Sequence, residues 1–297
     1  MKVGWIGLGS MGLPMAGNAR KTGHTVAVYN RTRSRTADVE ALGASVAKTP
    51  VEAASADCVV TMLSDDEAVR AVTFGPEGFL AAMPRGSTHV CMGTISVAFA
   101  QELEKAHQAA GQFYVSAPVF GRPDAAAAAK LYIVAAGPKQ AISRVDPLLS
   151  AIGQQTYIVG EDPSAANIIK LSGNFLIASM IECLGEAFAL VRKHNVDPQQ
   201  FSNVITTSLF NAPIYKGYGS RIAQDNYEPV GFKMALGLKD VRLVLAAADA
   251  AAVPMPAASL LRDRLLSSVA QGRGDADWAS LARVIATDAG ITSSKKS

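Results

Sequence analysis

The sequence predicts an α/β unit built on a doubly wound, mainly parallel sheet, then one long connecting helix and an all-α C-terminal region. Three observations carry this. The chain opens with an apolar run, Val3-Gly4-Trp5-Ile6, that enters a glycine turn and then a helical pattern. Strand-like and helix-like segments alternate up to Gly160, the pattern of a parallel sheet wrapped by helices. Beyond that point no strand alternation returns.

The elements follow in order. Residues 25–29 read as the second strand and 33–42 as a helix. Thr49-Pro50-Val51-Glu52 has capping-box spacing with proline at the first helical position, so a helix starts there. Residues 58–63 form a continuous apolar run, as a strand buried on both faces should. Residues 65–72 read as helix, 88–92 as strand, 97–110 as helix and 113–116 as strand. A strand at 131–135, a helix from Lys139 and a strand at 157–159 complete the layer. The pattern changes at Gly160-Glu161-Asp162-Pro163, so the expected parts are 1–162, 163–193 and 194–297. The middle part is one helix from Ser164 to Lys193, and helices are expected at 198–209, 211–223, 229–252, 256–271 and 277–289. Residues 292–297 are small and polar and read as a frayed tail.

In the long helix, Ile168, Ile169, Leu171, Phe175, Ile177, Met180, Ile181 and Leu184 cover nearly every face. A helix apolar all round belongs inside something. It is expected to bridge the two domains and to be partly covered by a second subunit, in a homodimer or higher homo-oligomer.

Bulk properties exclude several classes. The chain has 297 residues, enough for about two domains, with 49% hydrophobic and 18% charged residues. A net charge of +3 and an aromatic content of 6% argue against nucleic acid or an anionic membrane as the main partner. The charge-free stretch 171–181 is shorter than the roughly 20 residues of a membrane span. The first residues begin a strand and have no signal-peptide pattern, so a cytoplasmic setting is expected. Cys58, Cys91 and Cys183 all sit in apolar runs without CxxC spacing and read as reduced core thiols. The histidines are scattered without metal-ligand spacing, so no metal site is expected.

Chemistry enters with Gly7-Leu8-Gly9-Ser10-Met11-Gly12. After a strand and before a helix, GxGxxG is the turn that receives a dinucleotide pyrophosphate. Gly7 makes the tight turn, Gly9 lets phosphate approach the backbone, and Gly12 lets helix and strand pack closely. The phosphates face free N–H groups at the positive end of the helix. An NAD site places a carboxylate about 20 positions on, at the ribose 2′-hydroxyl. Here the second strand ends in Tyr29-Asn30-Arg31-Thr32, with no carboxylate. A guanidinium at Arg31 suits a 2′-phosphate, and Asn30 and Thr32 add neutral donors, so NADP is favoured over NAD. Lys170 lies among Ile168, Ile169 and Leu171, with Asn174 one turn later. It either snorkels its ammonium to water or acts as a proton donor at a cleft edge. Tyr215, Tyr218 and Phe210 read as core packing, with a pocket lining as the alternative, and Arg262-Asp263-Arg264 reads as a solvated face.

The glycine turn, Ala117-Pro118-Val119, Lys170 with Asn174, and Leu238-Lys239-Asp240 occur in that order. Together they resemble the β-hydroxyacid dehydrogenase family over essentially the whole chain. The resemblance implies a Rossmann domain, a long interdomain helix and a helical C-terminal domain that binds substrate and forms oligomers. It implies Lys170 as general acid/base and Asn174 as a substrate-orienting residue. Leu63, Ser64 and Thr94 would lie by the cofactor, with Lys239 closing over it and Phe232 packing nearby. Substrates would be small 2- or 3-hydroxy acids or their semialdehydes, and the cofactor's hydride would go to a carbonyl carbon.

The substrate loop departs from the family's Asp-Ala-Pro-Val-Ser-Gly-Gly. It reads Ser116-Ala117-Pro118-Val119-Phe120-Gly121-Arg122. Ser116, Phe120, Gly121 and Arg122 are the expected substrate contacts. Phe120 removes a hydroxyl donor and adds bulk, while Arg122 either pairs with a carboxylate or points to solvent. A bulkier or less polar carbonyl compound then becomes an option. The loop also resembles that of imine reductases, but a lysine beside an iminium places two cations together. The remaining alternative is a non-enzymatic cofactor-binding scaffold.

Overall fold

The computed structural model describes residues 1–291, and the expectation for 292–297 lies outside them. The chain divides into two compact units, Met1–Lys170 and a second that begins at Leu171.

In the first unit, β1 (Lys2–Ile6) leads to α1 (Gly12–Lys21), and β2 (Thr25–Tyr29) to α2 (Ala37–Glu40). There follow β3 (Ser45–Val46), α3 (Pro50–Ala53), β4 (Cys58–Thr61), α4 (Asp66–Phe74), β5 (Thr88–Cys91), α5 (Val97–Ala109) and β6 (Phe113–Ser116). These strands are parallel, in the spatial order β3-β2-β1-β4-β5-β6. That is the doubly wound order of a dinucleotide-binding sheet. The sheet continues through β7 (Val119–Phe120), α6 (Pro123–Ala127), β8 (Leu131–Ala136), α7 (Lys139–Ile152) and β9 (Gly153–Gly160). β8 is antiparallel to β6 and β7 and parallel to β9.

The central strands are buried on both faces, which explains their unbroken apolar runs. In β4, Cys58 and Val60 join the core beneath α1 and α7, while Val59 turns to the opposite face with Ile6 and Phe79. The expected helix start forms, with Thr49 Oγ1 accepting from the Glu52 N–H, while the Glu52 carboxylate accepts from the Lys48 N–H, one residue before the N-cap. The expected helix at 33–42 splits into a 3-10 turn, Arg33–Thr36, and the short α2. The two-residue strands β3 and β7 had no alternation long enough to read.

Helix α8 (Ser164–Lys193) keeps the expected boundaries and runs through the division between the units. Its burial is uneven. Leu171, Met180, Ile181 and Leu184 are buried, but Ile168, Ile169, Leu176 and Leu190 are exposed, so the helix is not enclosed all round. Among the described residues it is the one helix long and apolar enough to cross a membrane by length and composition, and half of its most apolar window is buried. The count of charge-free residues missed this, because an apolar window tolerates an occasional charge.

The second unit contains the rest of α8, then α9 (Pro198–Thr207), α10 (Pro213–Ala223), α11 (Met234–Ala250), α12 (Pro256–Ser268) and α13 (Leu281–Asp288). Proline opens α9, α10 and α12, where its missing N–H costs no helical bond. The expected helix at 229–252 starts late because Lys233 pairs in an isolated antiparallel bridge with Asp277. Arg264 is not merely solvated: it contacts the buried Glu182 at 3.1 Å and Asp288 at 2.6 Å.

Candidate active site

The glycine turn is built by backbone crowding. Gly7 has φ +101°, in the region that favours glycine, and a Cβ there would strike the Met62 carbonyl. A Cβ at Gly12 would strike the Gly7 carbonyl, so α1 can sit this close to β1 only without a side chain. At Gly9 a Cβ would meet nothing, leaving open space over the turn. The first turn of α1 carries no acidic residue and no side-chain cap, so Ser10, Met11 and Gly12 present backbone N–H groups to a phosphate. These features fit a dinucleotide pyrophosphate.

Asn30 closes the turn from the neighbouring strand. Its Oδ1 accepts from the Leu8 N–H at 2.9 Å and its Nδ2 donates to the Thr32 carbonyl at 2.8 Å. The amide therefore braces the glycine turn and the loop after β2. Arg31 and Thr32 are exposed beside it.

The loops after β4 and β5 are clasped together. Asp66 at the start of α4 accepts from the Ser96 N–H at 2.8 Å and from the Ser96 hydroxyl. Gly93 lies against the Leu63 carbonyl, where a Cβ would not fit. Leu63 and Ser64 are thus held beside Thr94, which stays partly open between the buried Gly93 and Ile95.

The first two turns of α8 are pinned to the same end of the sheet. The Ser116 hydroxyl, at the end of β6, donates to Asn167 Oδ1 at 2.6 Å, and Asn167 Nδ2 reaches the Ile95 carbonyl at 3.4 Å. Ser116 is fully buried and its hydroxyl is engaged with Asn167. Lys170 follows Asn167 by three residues and is only 8% exposed. Its Nζ lies 4.2 Å from the centroid of the Phe120 ring, a cation–π contact. The structure therefore does not give Lys170 the snorkelling posture. Gly121 turns the chain at φ +141°, and Arg122 precedes α6 as its N-cap residue.

In the second unit, Asp240 organises two expected site residues. Asn174 Nδ2 donates to Asp240 Oδ2, and Lys239 Nζ meets Asp240 Oδ1 at 2.9 Å. Asp240 is buried, so its charge is held by these partners. Phe232 packs edge-on against Trp278 with centroids 4.7 Å apart. Tyr218 is core, its hydroxyl accepting from Trp278 Nε1 at 2.9 Å, while Phe210 is exposed and stacks near Tyr215.

Sequence reasoning missed Asn167 and the positioning role of Asp240, because each works through a partner distant in sequence. It also read the histidines as scattered, yet His89 and His107 meet. Gln112 Nε2 donates to the Leu80 and Met83 carbonyls, so its Oε1 accepts from His107 Nδ1 at 2.8 Å. His107 Nε2 then accepts from His89 Nδ1 at 2.9 Å, and His89 Nε2 accepts from the Thr61 hydroxyl at 2.9 Å. Desolvation holds both imidazoles neutral, His89 well below the usual range and His107 at about 4. Among the described residues no cluster has metal-binding composition. Cys58 and Cys91 are buried as expected, whereas Cys183 is exposed.

An open glycine turn on a doubly wound sheet, with a buried lysine at the same strand ends, defines a nicotinamide-dependent oxidoreductase. Residues 2–160 match the family model described as the NAD binding domain of 6-phosphogluconate dehydrogenase. Residues 164–285 match that described as NAD-binding of NADP-dependent 3-hydroxyisobutyrate dehydrogenase. The chain is 46% identical to an uncharacterized oxidoreductase, YfjR, of Bacillus subtilis, over 96% of its own length and 100% of the relative's. It is 29% identical to glyoxylate/succinic semialdehyde reductase 1 of Arabidopsis thaliana, over 96% and 98%. The crystal structure of 3-hydroxyisobutyrate dehydrogenase from Salmonella typhimurium superposes with a TM-score of 0.87 at 27% identity, over 96% and 99% of the two chains. An imine reductase from Pseudomonas sp. shares the fold at a TM-score of 0.62 and 22% identity, covering 96% and 99%. The chain belongs to the β-hydroxyacid dehydrogenase family.

Proposed function

We propose that this protein is an NADP-preferring dehydrogenase or reductase that interconverts a hydroxy compound of the hydroxy-acid class and its aldehyde or semialdehyde. Lys170 is its general acid/base. The observation that carries the reading is the buried Lys170 amine on a helix pinned, through Asn167, to Ser116 and to the Ile95 carbonyl beside Thr94. The nicotinamide, when bound, supplies or accepts the hydride at its C4.

The protein's own residues handle the proton and the charge. As an ammonium, Lys170 donates a proton to the developing alkoxide oxygen and stabilises its charge. In the oxidising direction the neutral amine removes the hydroxyl proton. Asn174, one turn on, is oriented by Asp240 and offers its amide to the substrate. Arg31, exposed after β2 with no carboxylate at that strand end, supports the choice of NADP. Exposed Ile168, Leu176 and Leu190 on α8 support a homo-oligomer, and the free thiols at Cys58, Cys91 and Cys183 agree with a cytoplasmic setting.

Replacing Lys170 by alanine tests the reading. Turnover of glyoxylate or succinic semialdehyde should fall by about 10²–10⁴-fold, with NADPH affinity changed less than about threefold. Near-normal kcat in Lys170→Ala removes the lysine from the mechanism. NADPH consumption only with cyclic imines would instead favour the imine reductase reading.

A further inference from the structure

Val119, Phe120 and Gly121 carry no polar side chain, and Arg122 follows them as the N-cap residue of α6. A side chain at Gly121 is excluded by its backbone conformation and by Leu131, whose methyl group occupies the space. The Phe120 ring lies over the Lys170 ammonium and also forms one wall of an open concavity of about 590 Å³. The other walls are Tyr132, Val134, Tyr157, Val159 and Ile169. None of these carries a charge at neutral pH. An aromatic face is electron-rich, so it attracts the ammonium but repels a carboxylate.

We propose that Phe120 determines substrate specificity by taking an aryl or branched-alkyl group of the substrate against its ring. The inference rests on the carbonyl reductase reading above and extends its substrate class from hydroxy acids to less polar carbonyl compounds. The ring contributes apolar surface beside the Lys170 ammonium, and the concavity it walls offers room for an apolar chain. A hydrophobic pocket discriminates about 10- to 200-fold per methylene, so a whole phenyl group gives ample selectivity.

Two probes of similar reach separate the possibilities: 3-phenylpropanal and succinic semialdehyde, assayed with NADPH on the full chain and on Phe120→Ser. The unaltered protein should prefer 3-phenylpropanal by at least about tenfold in kcat/KM, and Phe120→Ser should lower that ratio by about 10- to 100-fold. An unchanged ratio, or a preference for succinic semialdehyde in the unaltered protein, overturns the proposal. Calorimetry gives a second readout that needs no turnover: 3-phenylpropan-1-ol should bind the NADPH-loaded protein more tightly than 4-hydroxybutyrate, and Phe120→Ser should abolish the difference. Equal affinities in the unaltered protein also overturn it. If the alcohol binds through Phe120 but no carbonyl is reduced, the subsite stands and the reductase reading falls.

Discussion

Asn30 shows how one residue's neighbours decide its chemistry. The sequence offered it as a donor to a 2′-phosphate, but its carbonyl holds the Leu8 N–H and its amide holds the Thr32 carbonyl. Under the proposed NADP preference, recognition of the 2′-phosphate would fall mainly to Arg31, whose guanidinium can make charge-assisted bonds worth about 1.5–3 kcal/mol. Arg31→Ala should therefore weaken NADPH by about 10- to 100-fold and NADH by less than about threefold. Equal losses in a titration followed by cofactor fluorescence would contradict the assignment. The glycines were legible in the sequence because their reasons are local. The contact of Asn30 with Leu8 was not, since it spans 22 residues.

At the level of elements, α8 is held to the sheet by a buried polar path from Ser116 through Asn167 to Ile95. Removing the serine hydroxyl leaves a buried acceptor without its donor, which costs about 1–3 kcal/mol. Ser116→Ala should lower the urea midpoint accordingly and also reduce kcat, because Lys170 sits one turn beyond Asn167. A midpoint shift with unchanged kcat would show that the path stabilises the fold without positioning the amine. The ends of α8 were readable from its composition and from the proline before it. Which of its apolar residues stay open was not, because helical periodicity assigns a face only when polar residues mark the other side.

Across the molecule, acid should expose the cost of burying two imidazoles. The unfolded chain binds a proton at His107 near 6.5, the folded protein only at about 4. The unfolded state therefore holds more protons between those values, so stability is complete above pH 6.5 and declines as the pH falls toward 4. For His107 the loss approaches about 3 kcal/mol, at 1.36 kcal/mol per pH unit, and His89 adds to it in the same direction. Urea midpoints measured from pH 7.5 down to about pH 4.5 should fall with acidity. A double variant, His89→Gln with His107→Gln, should show a smaller pH dependence than the unaltered protein. A midpoint flat across this range would contradict the buried neutral pair.

Lys170 entered as one of two readings, favoured by the family resemblance, whereas the order of the longer strands and helices, the glycine turn and the extent of the long helix were determined by sequence alone. Each depends on residues within one or two turns or strands of each other, where periodicity and backbone geometry act directly. Only tertiary structure decided that Ser116 bonds Asn167, that Asp240 joins Asn174 to Lys239, that His89 meets His107, and that Phe120 faces the lysine. Those outcomes come from side chains brought together across the sheet or between helices. Burial and hydrogen-bond satisfaction then choose among chemistries that the residue types alone leave open.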